Sequence, residues 1–132
     1  MSYQLSKKSL ERIEGIEPVL IDILLEGIKE SPFDFGIPKD GGLRTKERQA
    51  YLYSIGRTRE ISRGVVTWTL KSYHMTGKAF DIYAYVDGKA SWNQTHLKAI
   101  ARHLQKVAMD KFCIKLKWGF DMWGKDAAHF QI

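Results

Sequence analysis

The spacing of apolar positions along the chain changes several times, and each change marks an element. Leu10, Ile13 and Ile16 recur at helical spacing; Gly15 and Pro18 interrupt, and Val19, Leu20, Ile23, Leu24 and Ile28 then restore the same period. This predicts two helices between Ser6 and about Ile28, with Pro18 in the first turn of the second, where a missing N–H costs nothing. Phe33, Phe35 and Ile37 alternate with Asp34 and Gly36, the period of a half-buried strand. Lys46 to about Ile55 reads as a helix with Tyr51 and Leu52 turned inward. Ala79 to Val86 is the clearest strand, with Phe80, Ile82, Ala84 and Val86 on one face and Ala79, Asp81, Tyr83 and Tyr85 on the other. The hairpin signal Asp87-Gly88 follows it. Asn93 can cap a helix running to about Asp110, whose inner stripe is Leu97, Ile100, Ala101, Leu104, Val107 and Ala108. Lys111 to Trp118 reads as a further strand, and His129 opens a last one with Phe130 and Ile132 inward. The sum is an α+β fold, helices packed on a small, mainly antiparallel sheet, as a single domain over residues 1–132.

One stretch escapes this reading. From Gly56 to Tyr73 the pattern dissolves into Arg57, Arg59, Arg63, Gly64 and an uneven apolar spread through Val65, Val66, Trp68 and Leu70. A loop this long reads either as a lid over a site or as a basic, solvated segment.

Composition adds bounds. With 132 residues, 44% hydrophobic and 27% charged, the chain has the make-up of one ordinary globular domain. Lys and Arg outnumber Asp and Glu by 21 to 15, a formal charge of +6, which favours anionic partners. Apart from Lys7-Lys8 and Lys115 with Lys117 the basic residues are scattered, so nucleic acid is not the expected partner, and the chain is expected to act as a monomer. The single cysteine, Cys113, excludes an internal disulfide framework. With no histidine near it in sequence it reads as a small buried hydrophobe rather than a nucleophile. No apolar run follows Lys7-Lys8, so no secretory signal is expected. The cluster Val19 to Leu25 contains Asp22 and is far too short to span a bilayer. Synthesis in the cytoplasm without a signal is the expectation.

The chemistry lies in Ser72-Tyr73-His74-Met75-Thr76-Gly77-Lys78-Ala79-Phe80-Asp81 and in Asp126-Ala127-Ala128-His129. Two imidazoles and a carboxylate can make a metal site. In one continuous strand His74 and Asp81 would stand about 23 Å apart, and in a helix about 10 Å apart along the axis. A shared ion bound at about 2 Å allows neither. The chain must fold back between them, and Gly77 is the residue that can take a positive φ freely. His96 and His103 lie two helical turns apart with no partner between, and read as surface histidines.

The pattern S-x-H-x-x-G-x-A-x-D followed by [DE]-x-x-H resembles the M15 family of zinc peptidases, which cleave bacterial cell-wall peptides. Gly42-Leu43-Arg44-Thr45 with Gln49, the run Ala84 to Trp92, Trp118-Gly119 and the closing His129-Phe130-Gln131-Ile132 look like its phage-type branch. The resemblance implies a zinc ion held by His74, Asp81 and His129, with Asp126 as general base and Arg44 steadying negative charge on the substrate carbonyl. Ser72, Thr45, Gln49, Tyr83, Trp118 and Trp123 become substrate-binding or supporting residues. It further implies a phage or prophage endolysin that cuts the L-Ala–D-Glu bond of the peptidoglycan stem peptide, reaching the wall from the cytoplasm after release. Two departures stand out: aspartate rather than glutamate at Asp126, and a link before Arg44 lengthened by Lys39-Asp40-Gly41. Three alternatives use the same residues: a D-Ala-D-Ala carboxypeptidase of that family, a non-haem iron oxygenase triad, and a closed, non-enzymatic zinc module.

Overall fold

Three of the helices begin where a side chain takes an orphan backbone N–H, and a fourth begins at a proline. Ser6 Oγ accepts from Ser9 N (3.2 Å) to open α1 (Lys7–Arg12), and Pro18 opens α2 (Pro18–Lys29). Thr45 Oγ1 accepts from Arg48 N (3.0 Å) at the start of α3 (Lys46–Ser54). Asn93 Oδ1 takes Thr95 N (2.8 Å) before α4 (Gln94–Phe112). Such caps satisfy donors that no helical carbonyl reaches. The computed structural model describes residues 2–65, 67 and 72–132; Val66, Trp68 and Leu70 of the predicted loop lie outside the described residues.

The strands are β1 (Asp34–Gly36), β2 (Ala79–Asp81), β3 (Tyr83–Val86), β4 (Lys89–Ser91), β5 (Lys117–Trp118) and β6 (His129–Gln131), with a short helix α5 (Gly119–Trp123) between the last two. The class is α+β, as the pattern predicts, but the strands form two three-stranded antiparallel sheets, β1–β3–β4 and β2–β6–β5, in place of one. The predicted strand Ala79 to Val86 divides at Ile82, whose N–H bonds Ala128 O (3.0 Å) while the halves on either side pair with different neighbours. The alternation survives the division: Phe80, Ile82 and Ala84 are fully buried and Tyr85 is exposed. Ala79 is buried too, because its face of β2 is covered at the site described below.

The core joins Leu20, Ile23, Leu24 and Ile28 of α2 to the stripe of α4 and to Phe35, Phe80, Trp118 and Phe130 of the sheets. Several predicted positions differ. Leu10 is exposed, since α1 turns Ser9 and Ile13 inward instead, and Ser9 Oγ takes Ile37 N (2.9 Å). Tyr51 is only half-buried, its hydroxyl donating to Glu60 (2.8 Å). α4 runs past Asp110 because Phe112, one turn beyond Ala108, still packs on the core. The predicted strand from Lys111 therefore begins only at Lys117, and Cys113 ends the helix exposed, at φ 55°. His96 and His103 are half-buried rather than free on the surface: His96 Nδ1 meets Ser91 Oγ (2.8 Å), and His103 Nε2 donates to Gly27 O (2.8 Å). Among the described residues no helix is long and apolar enough to cross a membrane.

Gly27 lets α2 and α4 approach closely, since a Cβ there would run into Leu104 Cδ2. Alanine at this position gains about 1 kcal/mol of helix propensity, but overpacking a full core costs about 1–3 kcal/mol. Gly27→Ala is expected to lower the urea midpoint; an unchanged or raised midpoint would show that the two helices can part without loss.

Candidate metal centre

Ser72 starts the fold-back that the sequence requires: its Oγ accepts from His74 N (3.2 Å) and opens a 3₁₀ turn over Tyr73–Thr76. Gly77 ends that turn at φ 73°, with Gly15 O and Ile16 Cα each 3.1 Å from where a Cβ would sit. The chain then enters β2, whose antiparallel register with β6 sets Asp81 directly opposite His129. Turn and register together bring three distant positions to one point.

At that point the atoms form an equilateral triangle. His74 Nε2 to His129 Nδ1, His74 Nε2 to Asp81 Oδ1 and His129 Nδ1 to Asp81 Oδ1 are each 3.2 Å. The outer ring nitrogens are already engaged: His74 Nδ1–H donates to Gly42 O (2.9 Å) and His129 Nε2–H to Gln131 Oε1 (2.8 Å). A neutral imidazole carries one N–H, so the inner nitrogens present lone pairs to each other and to a carboxylate oxygen. Three acceptors this close need a cation among them. A tetrahedral zinc with bonds of about 2.0–2.1 Å spaces its ligands roughly 3.3 Å apart, so the donor set fits the ion the sequence suggests. Among the described residues no fourth His, Cys, Asp or Glu joins the group. Three protein ligands are the count of a catalytic rather than a structural zinc.

Arg44 stands behind Asp81. Its Nη2 lies 3.3 Å from Asp81 Oδ2, Nη1 donates to Gln49 Oε1 (3.1 Å) and Nε to Asp40 O (2.8 Å). The expectation aims Arg44 at substrate; in the structure three of its five N–H groups hold the metal ligand and its own loop. The lengthened link through Lys39-Asp40-Gly41 serves this arrangement: Gly41 O accepts from Asp81 N (2.7 Å), and Arg44 N donates to His74 O (2.9 Å). A Cβ on Gly42 would strike Arg12 O, so only glycine lets that carbonyl reach His74. Asp40 in turn grips Arg48 through two hydrogen bonds (2.9 and 2.8 Å). Gln49 is fully buried, and Trp118 Nε1 donates to Ala127 O (2.7 Å), steadying the loop before His129. Trp123 is half-exposed with its ring 5.2 Å from that of His129. Tyr83 turns instead toward Gly36 and Trp92. Sequence reasoning did not single out Gln131, although two residues along a strand from a ligand is the same face of the sheet.

Asp126 is an exposed residue at the rim, at φ 62°, a left-handed conformation that Asp and Asn tolerate better than most. His129 N bonds Asp126 O (3.2 Å) to close the turn. Partial burial toward the site and then the charge of Asp81 push the Asp126 carboxyl above its usual range, against the opposing pull of His129, His74 and Arg44. For Asp81 burial is the largest single influence and acts upward, but the combined contacts with His129 and His74 win and hold it well below the ordinary carboxylate range. For His129 burial acts downward and the Asp81 hydrogen bond and charge outweigh it, so its pKa is raised.

A His-Asp-His group whose three donor atoms converge on one point, set on a small α+β fold, is a centre fit to bind a single metal ion. The sequence profile of the phage L-alanyl-D-glutamate peptidase family matches residues 1–131, and the chain belongs to that family. It is 27% identical over 132 residues to the L-alanyl-D-glutamate peptidase of Escherichia phage T5, a match that spans the whole of this chain and 90% of that protein. The crystal structure of the Serratia marcescens L-Ala D-Glu endopeptidase ChiX is similar to this fold with a TM-score of 0.80 at 27% identity, over 99% of this chain and 90% of that one.

Gly119 makes room for the loop that delivers Asp126 and His129: a Cβ there would collide with Asp126 O and stand 3.2 Å from His129 Cβ. Gly119→Ala is expected to weaken zinc binding about tenfold in a chelator competition with little change in helix content, and wild-type affinity would show that the loop shifts freely. Because the His129 pKa is raised, zinc must displace a proton at pH values where an ordinary histidine is already neutral. Apparent zinc affinity should therefore begin to fall on acidification above the usual histidine value of about 6.5; titrations giving the same affinity from about pH 8 to about pH 6 would contradict the assignment of His129 as a ligand.

Proposed function

We propose that the protein is a zinc-dependent peptidoglycan peptidase that hydrolyses the L-Ala–D-Glu bond of the stem peptide, as a phage or prophage endolysin. The observation that carries this reading is the triangle of three lone-pair donors, each 3.2 Å from the next, in a chain whose family takes its name from that bond. The place of action on this reading is the cell wall.

His74, Asp81 and His129 would hold the ion, and Gly42 O and Gln131 Oε1 fix the ring nitrogens that would face it. When bound, zinc supplies Lewis acidity, polarising the scissile carbonyl and acidifying a water in its open position. Asp126 takes the proton of the attacking water and returns it to the leaving amine. Its raised pKa suits the first half of that task, since a carboxylate of higher pKa is the stronger base toward the proton of the water. Arg44 keeps Asp81 charged and oriented. Its two remaining N–H groups can steady the carbonyl oxygen as negative charge develops there.

Two measurements test this. Asp126→Asn keeps a side chain that tolerates the left-handed backbone, and it should lower kcat by about 10²–10⁴ with zinc content unchanged, whereas His74→Ala should lose the zinc itself. Wild-type turnover in Asp126→Asn would remove the assigned base. Mass analysis of fragments released from purified peptidoglycan should show new D-Glu amino ends on the peptide and muramyl-L-Ala on the glycan; release of D-Ala alone would assign the chain to carboxypeptidase chemistry instead.

A further inference from the structure

The outward face of β1–β3–β4 is built as a shallow aromatic site. Register places Asp34 opposite Tyr85 and Gly36 opposite Tyr83, with Ala90 beyond Tyr85, while Phe35 and Ala84 fill the core from the other face. Because Gly36 carries no side chain, the Tyr83 phenol lies across β1, its Oη 2.6 Å from where a Cβ would stand. The Trp92 ring sits 6.0 Å from that of Tyr83. Tyr85 is 46% exposed and Trp92 57% exposed. Beside them is a cavity of about 150 Å³ lined by Gln4, Ser6, Asp34, Gly36, Tyr83 and Tyr85. Asp34 Oδ1 accepts from Phe35 N (2.9 Å), and its other oxygen takes no hydrogen bond among the described residues.

We infer that this face is a subsite for the sugar ring to which the stem peptide is attached, an N-acylated muramic acid residue of the glycan strand. Aromatic side chains present flat apolar faces with a polar tip, which matches a pyranose with its C–H face and ring of hydroxyls, and a polar group such as Asp34, itself held by Phe35 N, orients it. An anionic ligand is disfavoured, because the Asp34 carboxylate repels it. That weighs against the D-Glu side of the substrate, which keeps a free carboxylate, and leaves the glycan side, where the lactyl carboxyl is tied up in the amide to L-Ala.

The reach agrees. Tyr83 and Tyr85 follow Asp81 by two and four residues of one chain, so the cavity they line lies at most about 7–14 Å along the backbone from the metal ligand. In the substrate, one residue of about 3.6 Å and a lactyl group of similar length separate the scissile carbonyl from the sugar. This inference rests on the proposed L-Ala–D-Glu cleavage, and its test separates the two.

Two soluble substrates are compared, a muramyl glycopeptide and the same stem peptide without sugar, together with direct titration of the disaccharide N-acetylglucosaminyl-N-acetylmuramic acid with its lactyl carboxyl capped as an amide. Wild type should cleave the glycopeptide with kcat/KM about tenfold or more above the bare peptide. Tyr85→Ala and Asp34→Asn should erase that advantage and leave bare-peptide cleavage and zinc content unchanged. The disaccharide should bind wild type and not Tyr85→Ala. Equal rates on both substrates for wild type, or parallel loss on both in Tyr85→Ala, would overturn the subsite. If wild type cleaved neither substrate, the peptidase reading would fail, and the disaccharide titration would still decide the sugar site by itself.

Discussion

Asp81 is a carboxylate taken largely out of water, its side chain 19% exposed, and it stays charged because two imidazoles and a guanidinium are held against it. An ion removed from solvent without such partners costs several kcal/mol even after the protein relaxes. The surrounding structure supplies these partners from separate parts of the chain: a 3₁₀ turn brings His74, a strand register brings His129, and the loop after β1 brings Arg44. Each partner is itself tied, His74 to Gly42, His129 to Gln131 and Arg44 to Gln49 and Asp40. A metal ligand oriented from behind in this way presents its donor atom in the direction the ion requires.

Space is as decisive as charge. Gly42 and Gly119 stand where backbone carbonyls from other segments press in, and a single methyl at either would push a ligand-bearing segment away. Gly77 serves differently, through a left-handed backbone at the reversal between two ligands. Asp126 also adopts a left-handed backbone, with a side chain that tolerates it. Strain concentrated beside a reactive group is a common feature of sites whose surroundings over-determine them.

Much of the site was legible in the chain. His74, Asp81 and His129 are the residue types a zinc site uses, and the impossibility of joining the first two through regular structure pointed to the reversal at Gly77. The resemblance to a peptidase family rested on the same positions and led to the family that the profile identifies. Less legible were the contacts that hold the ligands. For Arg44 the sequence offered a role toward substrate but not the contacts of its guanidinium with Asp81 and Gln49, because sequence offers an arginine but not its direction. Tyr83 shares a face with Asp81, but the glycine across the sheet draws its ring away from the metal.

By itself the sequence determined the elements with a strong period, the caps and turns at their ends, and the identity of the donor atoms, since these follow from neighbours a few residues apart. The tertiary structure alone decided that the strand from Ala79 would divide between two sheets, that the helix from Gln94 would continue through Phe112, and that five residues after Trp118 would form a helix too short to show a period. Those outcomes depend on which distant strand or helix offers the better hydrogen bonds and packing. No local pattern records that competition.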